Sequence, residues 1–277
     1  MRCPSARVGG EMLTTTVDGL WVLQVLSGIE VVAPELGLRP HHPSVETNEM
    51  ALRHPIAAEL QSAGVITAEG TVDQPVVEWL TVLSRRDGAL LLYAQSPPSP
   101  SQPQRVLLAR FHQWWVALEQ HGEIVRLSGV GTATAQHSVG ELIYSEIQRL
   151  CGELPSARVR PVTVDTAELL ADVSDQASLR TFLLAQKLDP DQCGLLMQAS
   201  DPGISAQISI VTSPVDAGTV TIIDSPRGRL VSERITRDGK TWMVVSPGSA
   251  RQISSAVQKL MRGLPAENVP YSYRKVV

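Results

Sequence analysis

The stretch Ser138–Pro155, SVGELIYSEIQRLCGELP, returns in altered form near the C-terminus as Gly248–Pro265, GSARQISSAVQKLMRGLP. In both copies the apolar residues recur at helical spacing, and a proline follows them. Each copy also follows an apolar run, Glu123–Leu127 or Thr241–Val245, that predicts a strand. A strand and helix written twice predict a chain built as two related halves. The alternative is chance similarity between two amphipathic helices.

The composition describes an ordinary globular protein. The chain has 277 residues, of which 43% are hydrophobic and 19% charged, with a mean hydropathy near zero. The formal charge of −4 argues against a general surface for nucleic acid or anionic membranes. Aromatic residues make up 4% of the chain, which argues against a platform for stacking bases or sugars.

The cysteines and the N-terminus indicate a cytosolic protein. Cys3, Cys151 and Cys193 are odd in number and scattered, a pattern typical of a reducing compartment. The N-terminal residues contain no apolar segment of the kind found in secretory signals. The longest strongly apolar run, Ala89–Ala94, is too short to cross a bilayer. We therefore expect a soluble, cytoplasmic chain that does not insert into membranes.

The first half predicts one strand, three helices and then a run of strands. Asp18 is the expected N-cap of the first helix, which should stop near Gly28, and Val32–Pro43 is the extended connection after it. Thr47 or Asn48 begins a second helix that reaches Ala63. The other elements predicted in this half are a strand at Met12–Thr16, a helix from Asp73, and strands at Ala89–Gln95, Arg105–Trp115, Trp115–Gln120 and Glu123–Ser128.

The second half repeats this order. Thr163-Val164-Asp165 repeats Thr16-Val17-Asp18, and a helix is predicted after it. Arg237-Asp238-Gly239-Lys240 is a strong signal for a two-residue hairpin turn. The elements predicted here are helices at Thr166–Val173, Gln176–Gln186 and Pro190–Ala199, and strands at Ala206–Thr212, Gly218–Asp224, Arg229–Thr236 and Thr241–Ser246.

Helices separated from hairpin-linked strands predict an α+β fold with antiparallel pairing. The halves run from about residue 12 to 155 and from 156 to 265, within one domain. Neither half alone has enough strands to bury its helices well, so we expect both to contribute to one central sheet.

The sequence contains few patterns that indicate a catalytic, metal-binding or cofactor-binding site. Gly129-Val130-Gly131 lacks the third glycine of a dinucleotide-binding loop, so a plain turn is the favoured interpretation. The histidines and cysteines show no metal-binding spacing, and His112 in its predicted strand reads as a structural residue. Trp114 and Trp115 should face opposite sides of a strand, one in each core layer, or else one anchors a partner. We expect no catalytic residues, no metal and no cofactor.

Short motifs in a fixed order give the chain a family resemblance. Thr16–Trp21 and Val32–Leu36 resemble the N-terminal signature of the EspG proteins of mycobacterial type VII (ESX) secretion. Arg105–Arg110 with Trp114–Val116 looks like the central strand of that family, and Thr241–Pro265 like its closing strand and helix. The resemblance implies a quasi-two-fold α+β fold with one central antiparallel sheet and two helical layers. It also implies a cytosolic chaperone without catalytic residues that holds the PPE tip of a PE–PPE heterodimer.

The resemblance also places the contacts with the PPE tip. It points to the loop Ser96–Gln104, the strand before the first copy of the helix, a turn in the second half, and the end of the first helix. The residues expected at the interface are Glu30, Ser96, Gln104, Arg126, Ser128 and Asp216. For each of them the alternative is an ordinary solvated surface residue.

Two other functions stay open at this point. A homodimeric scaffold would use the same sheet for self-association. An enzyme with scattered active-site residues would escape a motif search, and a deep polar cleft lined by acids with shifted pKa values would reveal it.

Overall fold

The computed structural model describes residues 7–9, 12–30, 32–38, 47–96, 103–133, 138–213 and 218–262. The described residues form two compact units. The first holds those within 1–91 and 104–137, and the second those within 92–103 and 138–264. No helix within these ranges is long and apolar enough to span a bilayer.

The first unit combines a strand meander with four helices. Its strands are antiparallel neighbours in the order β1-β2-β6-β5-β4-β3, and the last residues of β3 belong to the second unit. The strands are β1 (Arg7–Gly9), β2 (Met12–Thr16), β3 (Gly88–Gln95), β4 (Gln104–Phe111), β5 (Trp114–His121) and β6 (Ile124–Thr132). The helices are α1 (Val17–Ser27), α2 (Asn48–Arg53), α3 (Pro55–Ser62) and α4 (Gln74–Arg85).

Helix α1 begins two residues earlier than the sequence predicts. Thr16, not Asp18, is its N-cap, and the Thr16 hydroxyl accepts a hydrogen bond from the Gly19 amide at 3.1 Å. Gly28 ends the helix at a φ of 64°, as predicted. Leu20 and Leu23 of this helix are buried, and the helix packs against β2, β6, α2 and α3.

Two of the predicted connections differ from the structure. The helix expected from Asn48 to Ala63 is broken at His54, whose ψ of 138° is extended because Pro55 disfavours the helical conformation before it. His54 then caps α3 through Nδ1. The connection expected to be extended contains a 3₁₀ turn at Pro34–Leu36.

The predicted run Arg105–Trp115 is interrupted by a turn at His112 and Gln113. His112 has a φ of 55° and lies in this turn, so the prediction that it sits inside a strand is wrong. Trp115 is 1% exposed but Trp114 is 54% exposed, so only one of the two rings fills the core. The predicted turn at Gly129-Val130-Gly131 is also wrong, because these residues belong to β6, where the register with β5 shifts at a bulge.

The second unit also combines a strand meander with helices. Its strands are antiparallel in the order β8-β9-β10-β11-β7. The strands are β7 (Val162–Asp165), β8 (Ala206–Ser213), β9 (Thr219–Ser225), β10 (Gly228–Arg237) and β11 (Lys240–Pro247). The helices are α5 (Val139–Cys151), α6 (Thr166–Asp172), α7 (Gln176–Ala185), α8 (Pro190–Ala199) and α9 (Ala250–Arg262).

The two copies of the repeated helix, α5 and α9, pack against each other within this unit. Gly140 lies at their contact, where an added Cβ would stand 2.6 Å from the Ser254 Cβ and 3.0 Å from its Cα. The helices can approach this closely only because position 140 has no side chain. The relation between the two halves of the sequence stays a prediction.

A buried ion pair fixes the chain that leaves α5. Arg229 is fully buried and binds both carboxylate oxygens of Asp224, at 2.6 and 2.7 Å, and the Gly152 carbonyl at 3.0 Å. Burial, reinforced by the Asp224 charge and partly offset by Arg229, raises the pKa of the nearby Cys151 thiol to about 11. Cys151 is therefore protonated at neutral pH.

We expect Gly140→Leu to destabilise the chain. The new side chain must push α5 from α9, which should lower the free energy of unfolding by about 1–3 kcal/mol in denaturant titrations. The control is Ser145→Leu on an exposed position of α5, which should change it little. If the two variants had equal free energies of unfolding, the close approach of the helices at Gly140 would not limit the size of the side chain at this position.

We expect Cys151 to react slowly with iodoacetamide at pH 8 in a variant carrying Cys3→Ser and Cys193→Ala. A pKa near 11 leaves little thiolate, so native alkylation should be at least tenfold slower than in the urea-unfolded chain. Because the folded-state pKa is raised, the stability linked to this thiol is present below its unfolded pKa and falls as the pH rises toward 11. Equal alkylation rates would contradict the burial argument.

Candidate functional site

The two faces of strand β6 differ in character. Val125 and Leu127 are buried on the face that packs toward α1 and α4. Ile124, Arg126 and Ser128 alternate with them and are half-buried or exposed on the opposite face. A strand with neighbours on both sides has its backbone hydrogen bonds satisfied, so this face offers side chains for recognition.

The strand register places the neighbouring side chains in rows across this face. Arg126 pairs with Thr14 of β2 and with Glu119 of β5. Ser128 pairs with Met12 and Ala117, in the next row. We call Met12, Thr14, Ile124, Arg126 and Ser128 the β6 face.

A buried carboxylate underlies the β6 face. Glu119 is 4% exposed, and its Oε2 lies 3.7 Å from Arg126 Nη1 and accepts a 3.1 Å hydrogen bond from Gln104 Nε2. A buried carboxylate is tolerated only when charge or hydrogen bonds compensate its loss of water. Glu119 therefore fixes Gln104 and Arg126 in one network across three strands.

Arg126 keeps hydrogen-bonding capacity for a partner. Its side chain is 43% exposed, and its contact with Glu119 is longer than a hydrogen bond. Its buried Nε–H has no acceptor among the described residues. The buried Nε–H is out of reach of a bound molecule, but the two Nη groups carry four further N–H donors that can serve its carbonyl or carboxylate oxygens.

Apolar side chains flank this charge. Met12 and Ile124 are both 38% exposed, on the rows beside Arg126. An apolar surface around a few directed polar groups is the usual make-up of a protein-binding surface. The β6 face is thus suited to a partner with exposed apolar side chains and hydrogen-bond acceptors.

The structure brings together three of the six residues expected at the interface. Gln104 and Arg126 meet through Glu119, and Ser128 lies one row from Arg126. Glu119 is not among the residues expected at the interface from the sequence. The sequence feature that could have indicated it is a single carboxylate at the end of the apolar run Trp115–Leu118.

The other three residues stand apart from this network or outside the described chain. Glu30 is exposed after α1, and its carbonyl accepts a 3.1 Å hydrogen bond from Gln24 Nε2. Ser96 is exposed at the end of β3, in the second unit. Asp216 and residues 97–102 of the proline-rich loop lie outside the described residues.

A buried arginine holds the segment after Glu30. Arg86 is 2% exposed and binds Glu35 at 2.7 Å and the Val32 carbonyl at 3.0 Å. These contacts tie the 3₁₀ turn to the end of α4. The chain on either side of position 31 therefore has a fixed course.

The first unit also contains a groove of about 1170 Å³ between α4 and the β4–β5 turn, lined by Trp79, Trp114 and Phe111 among others. Trp79 covers Gly129, where an added Cβ would stand 3.2 Å from the indole Nε1. The groove carries aromatic surface and few charges.

In the described part of the chain, no three His, Cys, Asp or Glu residues are grouped as a metal site.

The comparisons with known proteins agree with this fold. The profile of the EspG family matches residues 16–259. The ESX-2 secretion-associated protein EspG2 of Mycobacterium tuberculosis is 47% identical over 278 residues, which cover 96% of this chain and 100% of that protein. The ESX-5 secretion-associated protein EspG5 of Mycobacterium marinum is 25% identical over 287 residues, covering 91% and 94%.

A solved structure matches the architecture. It is that of the Mycobacterium tuberculosis type VII secretion system chaperone EspG5 in complex with the PE25-PPE41 dimer, with a TM-score of 0.71 and 22% identity. The match covers 95% of this chain and 99% of that chain. The predicted α+β class, with one large antiparallel sheet and helices, is thereby confirmed. Because the family profile spans most of the sequence and a relative is 47% identical over nearly all of it, the chain belongs to the EspG family.

Proposed function

We propose that this chain is a secretion chaperone that binds the helical tip of the PPE subunit in a PE–PPE heterodimer and keeps the pair soluble for type VII export. Membership of the EspG family is the observation that carries the proposal. A structurally similar protein, EspG5, has been solved with the PE25-PPE41 dimer bound, which supports the same class of partner here.

The β6 face suits this partner. An apolar helical tip exposed to water tends to self-associate, and a cover for it needs apolar area with a few polar groups that fix its orientation. Met12 and Ile124 supply apolar area, and Arg126 supplies donors for the free carbonyls at a helix end. We propose Glu30, Ser96, Gln104, Arg126, Ser128 and Asp216 as partner contacts, with Glu119 as the residue that positions two of them.

The chaperone acts without catalysis and in the cytoplasm. The EspG2 relative is named for ESX-2, and its 47% identity exceeds the 25% identity to EspG5. We propose that the chain serves a system of the ESX-2 type and prefers its PE–PPE pairs.

Co-expression with tagged PE–PPE pairs tests the function. A cognate pair should co-purify with the chain as a stable 1:1:1 complex in light scattering, and the PE25-PPE41 dimer should bind less well. EspG5 with PE25-PPE41 serves as the positive control for the assay. A chain that forms only homodimers and captures no pair would overturn the proposal.

The double variant Glu119→Gln/Arg126→Gln should separate binding from folding. It removes both charges together, so no carboxylate is left buried without its cation. We expect capture of the cognate dimer to weaken by about tenfold or more, as for loss of a central interface arginine, with the melting temperature little changed. Arg53→Gln, on the exposed face of α2, is the matched control and should bind normally. Normal binding by the double variant would show that the interface does not include the β6 face.

Charge reversal at Arg126 alone should behave differently. Arg126→Glu places a second carboxylate against buried Glu119, so we expect the free energy of unfolding to fall by about 1–3 kcal/mol. Thermal melts as a function of pH can check the cause, because protonating the carboxylates at low pH should reduce the difference in melting temperature between the variant and the wild type. A difference that does not change with pH would show that like-charge repulsion is not the reason.

A further inference from the structure

The hairpin formed by β10 and β11 extends beyond its neighbouring strands. Pairing of β10 with β9 ends at Glu233, and pairing of β11 with β7 ends at Trp242. The intervening residues form a two-stranded projection whose turn has a φ of 52° at Asp238 and 73° at Gly239. Two strands alone in water are marginally stable, so a projection of this kind is retained at a cost.

One face of this projection combines apolar and basic side chains. Ile235 pairs with Trp242, and Arg237 pairs with Lys240, which places all four on the same face. Ile235 is 37% exposed and Trp242 is half-buried. Together with Thr163, Asp238 and Val244 they line a cavity of about 470 Å³, and we call these lining residues the hairpin face.

The two basic residues are placed unfavourably for the free protein. Like charges directly opposite on paired strands repel each other. Asp238 lies 3.7 Å from Arg237, but both side chains are more than 80% exposed, so this pair gives little. Within the described ranges no carboxylate lies within ion-pair distance of Lys240.

The other acidic groups nearby have partners of their own. Glu233 binds Lys259 of α9 at 3.0 Å. The Asp165 carboxylate accepts hydrogen bonds from the first amides of α6, at 2.8 and 3.4 Å. An external anion would therefore relieve a repulsion that the described part of the protein leaves largely unbalanced.

The hairpin face has a counterpart in the first unit. Trp242 pairs with Asp165, the N-cap of α6, just as Ile124 pairs with Thr16, the N-cap of α1. The hairpin of the first unit ends at this position, where His121 pairs with Ile124. The hairpin of the second unit contains two more residue pairs, Thr236–Thr241 and Arg237–Lys240, which have no counterpart in the hairpin of the first unit.

We infer that the hairpin face binds an acidic polypeptide segment that carries a large apolar side chain. The segment's carboxylates would pair with Arg237 and Lys240, and its apolar side chain would fill the cavity beside Ile235 and Trp242. Charge complementarity favours this occupant, because the positive tip stands out on a chain whose formal charge is −4. The face shares no residue with the β6 face.

A labelled peptide tests the inference. The probe is a synthetic peptide with six acidic residues flanking a Leu-Phe pair, and its match replaces the acids by Asn and Gln. In fluorescence anisotropy we expect the acidic peptide to bind the full chain, with affinity falling as salt is raised. Arg237→Glu and Lys240→Glu should each weaken binding by about tenfold, and Trp242→Ala by about fivefold.

Arg234→Glu is the matched control. Arg234 lies on the same hairpin and is exposed, but strand alternation places it on the opposite face, so its reversal should change the affinity less than twofold. Equal weakening by Arg234→Glu, or equal binding of the neutral peptide, would overturn the inference. Tighter binding to vesicles of phosphatidylcholine with phosphatidylglycerol, or self-association that Lys240→Glu abolishes, would overturn it in favour of lipid or a second copy.

Capture of a PE–PPE dimer separates this inference from the proposed function. Arg237→Glu and Lys240→Glu should capture the dimer as the wild type does. If they lose the dimer but the Glu119→Gln/Arg126→Gln variant keeps it, the hairpin face is the cargo surface and the separate partner is ruled out.

Discussion

In each unit a strand that leads directly into a helix, β2 into α1 or β7 into α6, pairs with the last strand of the meander, and the rest of the unit depends on this pairing. β2 pairs with β6, and β7 pairs with β11. The pairing fixes the N-cap of the following helix, Thr16 or Asp165, beside the final strand. It also gives β6 and β11 neighbours on both sides, so neither strand has a free edge for strand addition, and a bound molecule could contact them only through side chains.

Local signals allowed much of the fold to be predicted. The amphipathic spacing of α5 and α9, the Asp-Gly turn of the last hairpin and Gly28 after α1 all act over a few residues, and the structure contains each of them. The break at His54 was also local and could have been read from Pro55, since a proline disfavours a helical residue before it.

The turn at His112 could not be predicted, because distant residues stabilise it. A histidine with positive φ is uncommon, and the sequence HQ carries no glycine, asparagine or aspartate signal for a hairpin. The Asp87 carboxylate accepts one hydrogen bond from Arg110 Nε at 2.6 Å and another from the His112 amide at 2.8 Å. A side chain 25 residues away in sequence therefore holds the turn.

The candidate site also depends on contacts between residues that are distant in sequence. A resemblance could nominate Gln104 and Arg126, but their meeting point, Glu119, depends on the register of three strands. A one-residue slip would turn Glu119 to the opposite face, so no local pattern determines it. As contacts of a partner all six residues remain predictions, and Asp216 lies outside the described residues.

Glu119 and Glu233 occupy the same position in the two units, and the contrast between them separates the two surfaces. Each lies opposite the residue that follows, two positions on, the one paired with a helix N-cap: Glu119 faces Arg126, whereas Glu233 faces Val244. In the first unit a cation on the face itself compensates the carboxylate, which leaves the β6 face nearly neutral and suited to an apolar helix end. In the second unit Lys259 compensates Glu233 from α9, so the basic residues at the hairpin tip are not needed for this purpose. One strand position thus yields a nearly neutral surface in one unit and a positive surface in the other, and the two favour chemically different partners.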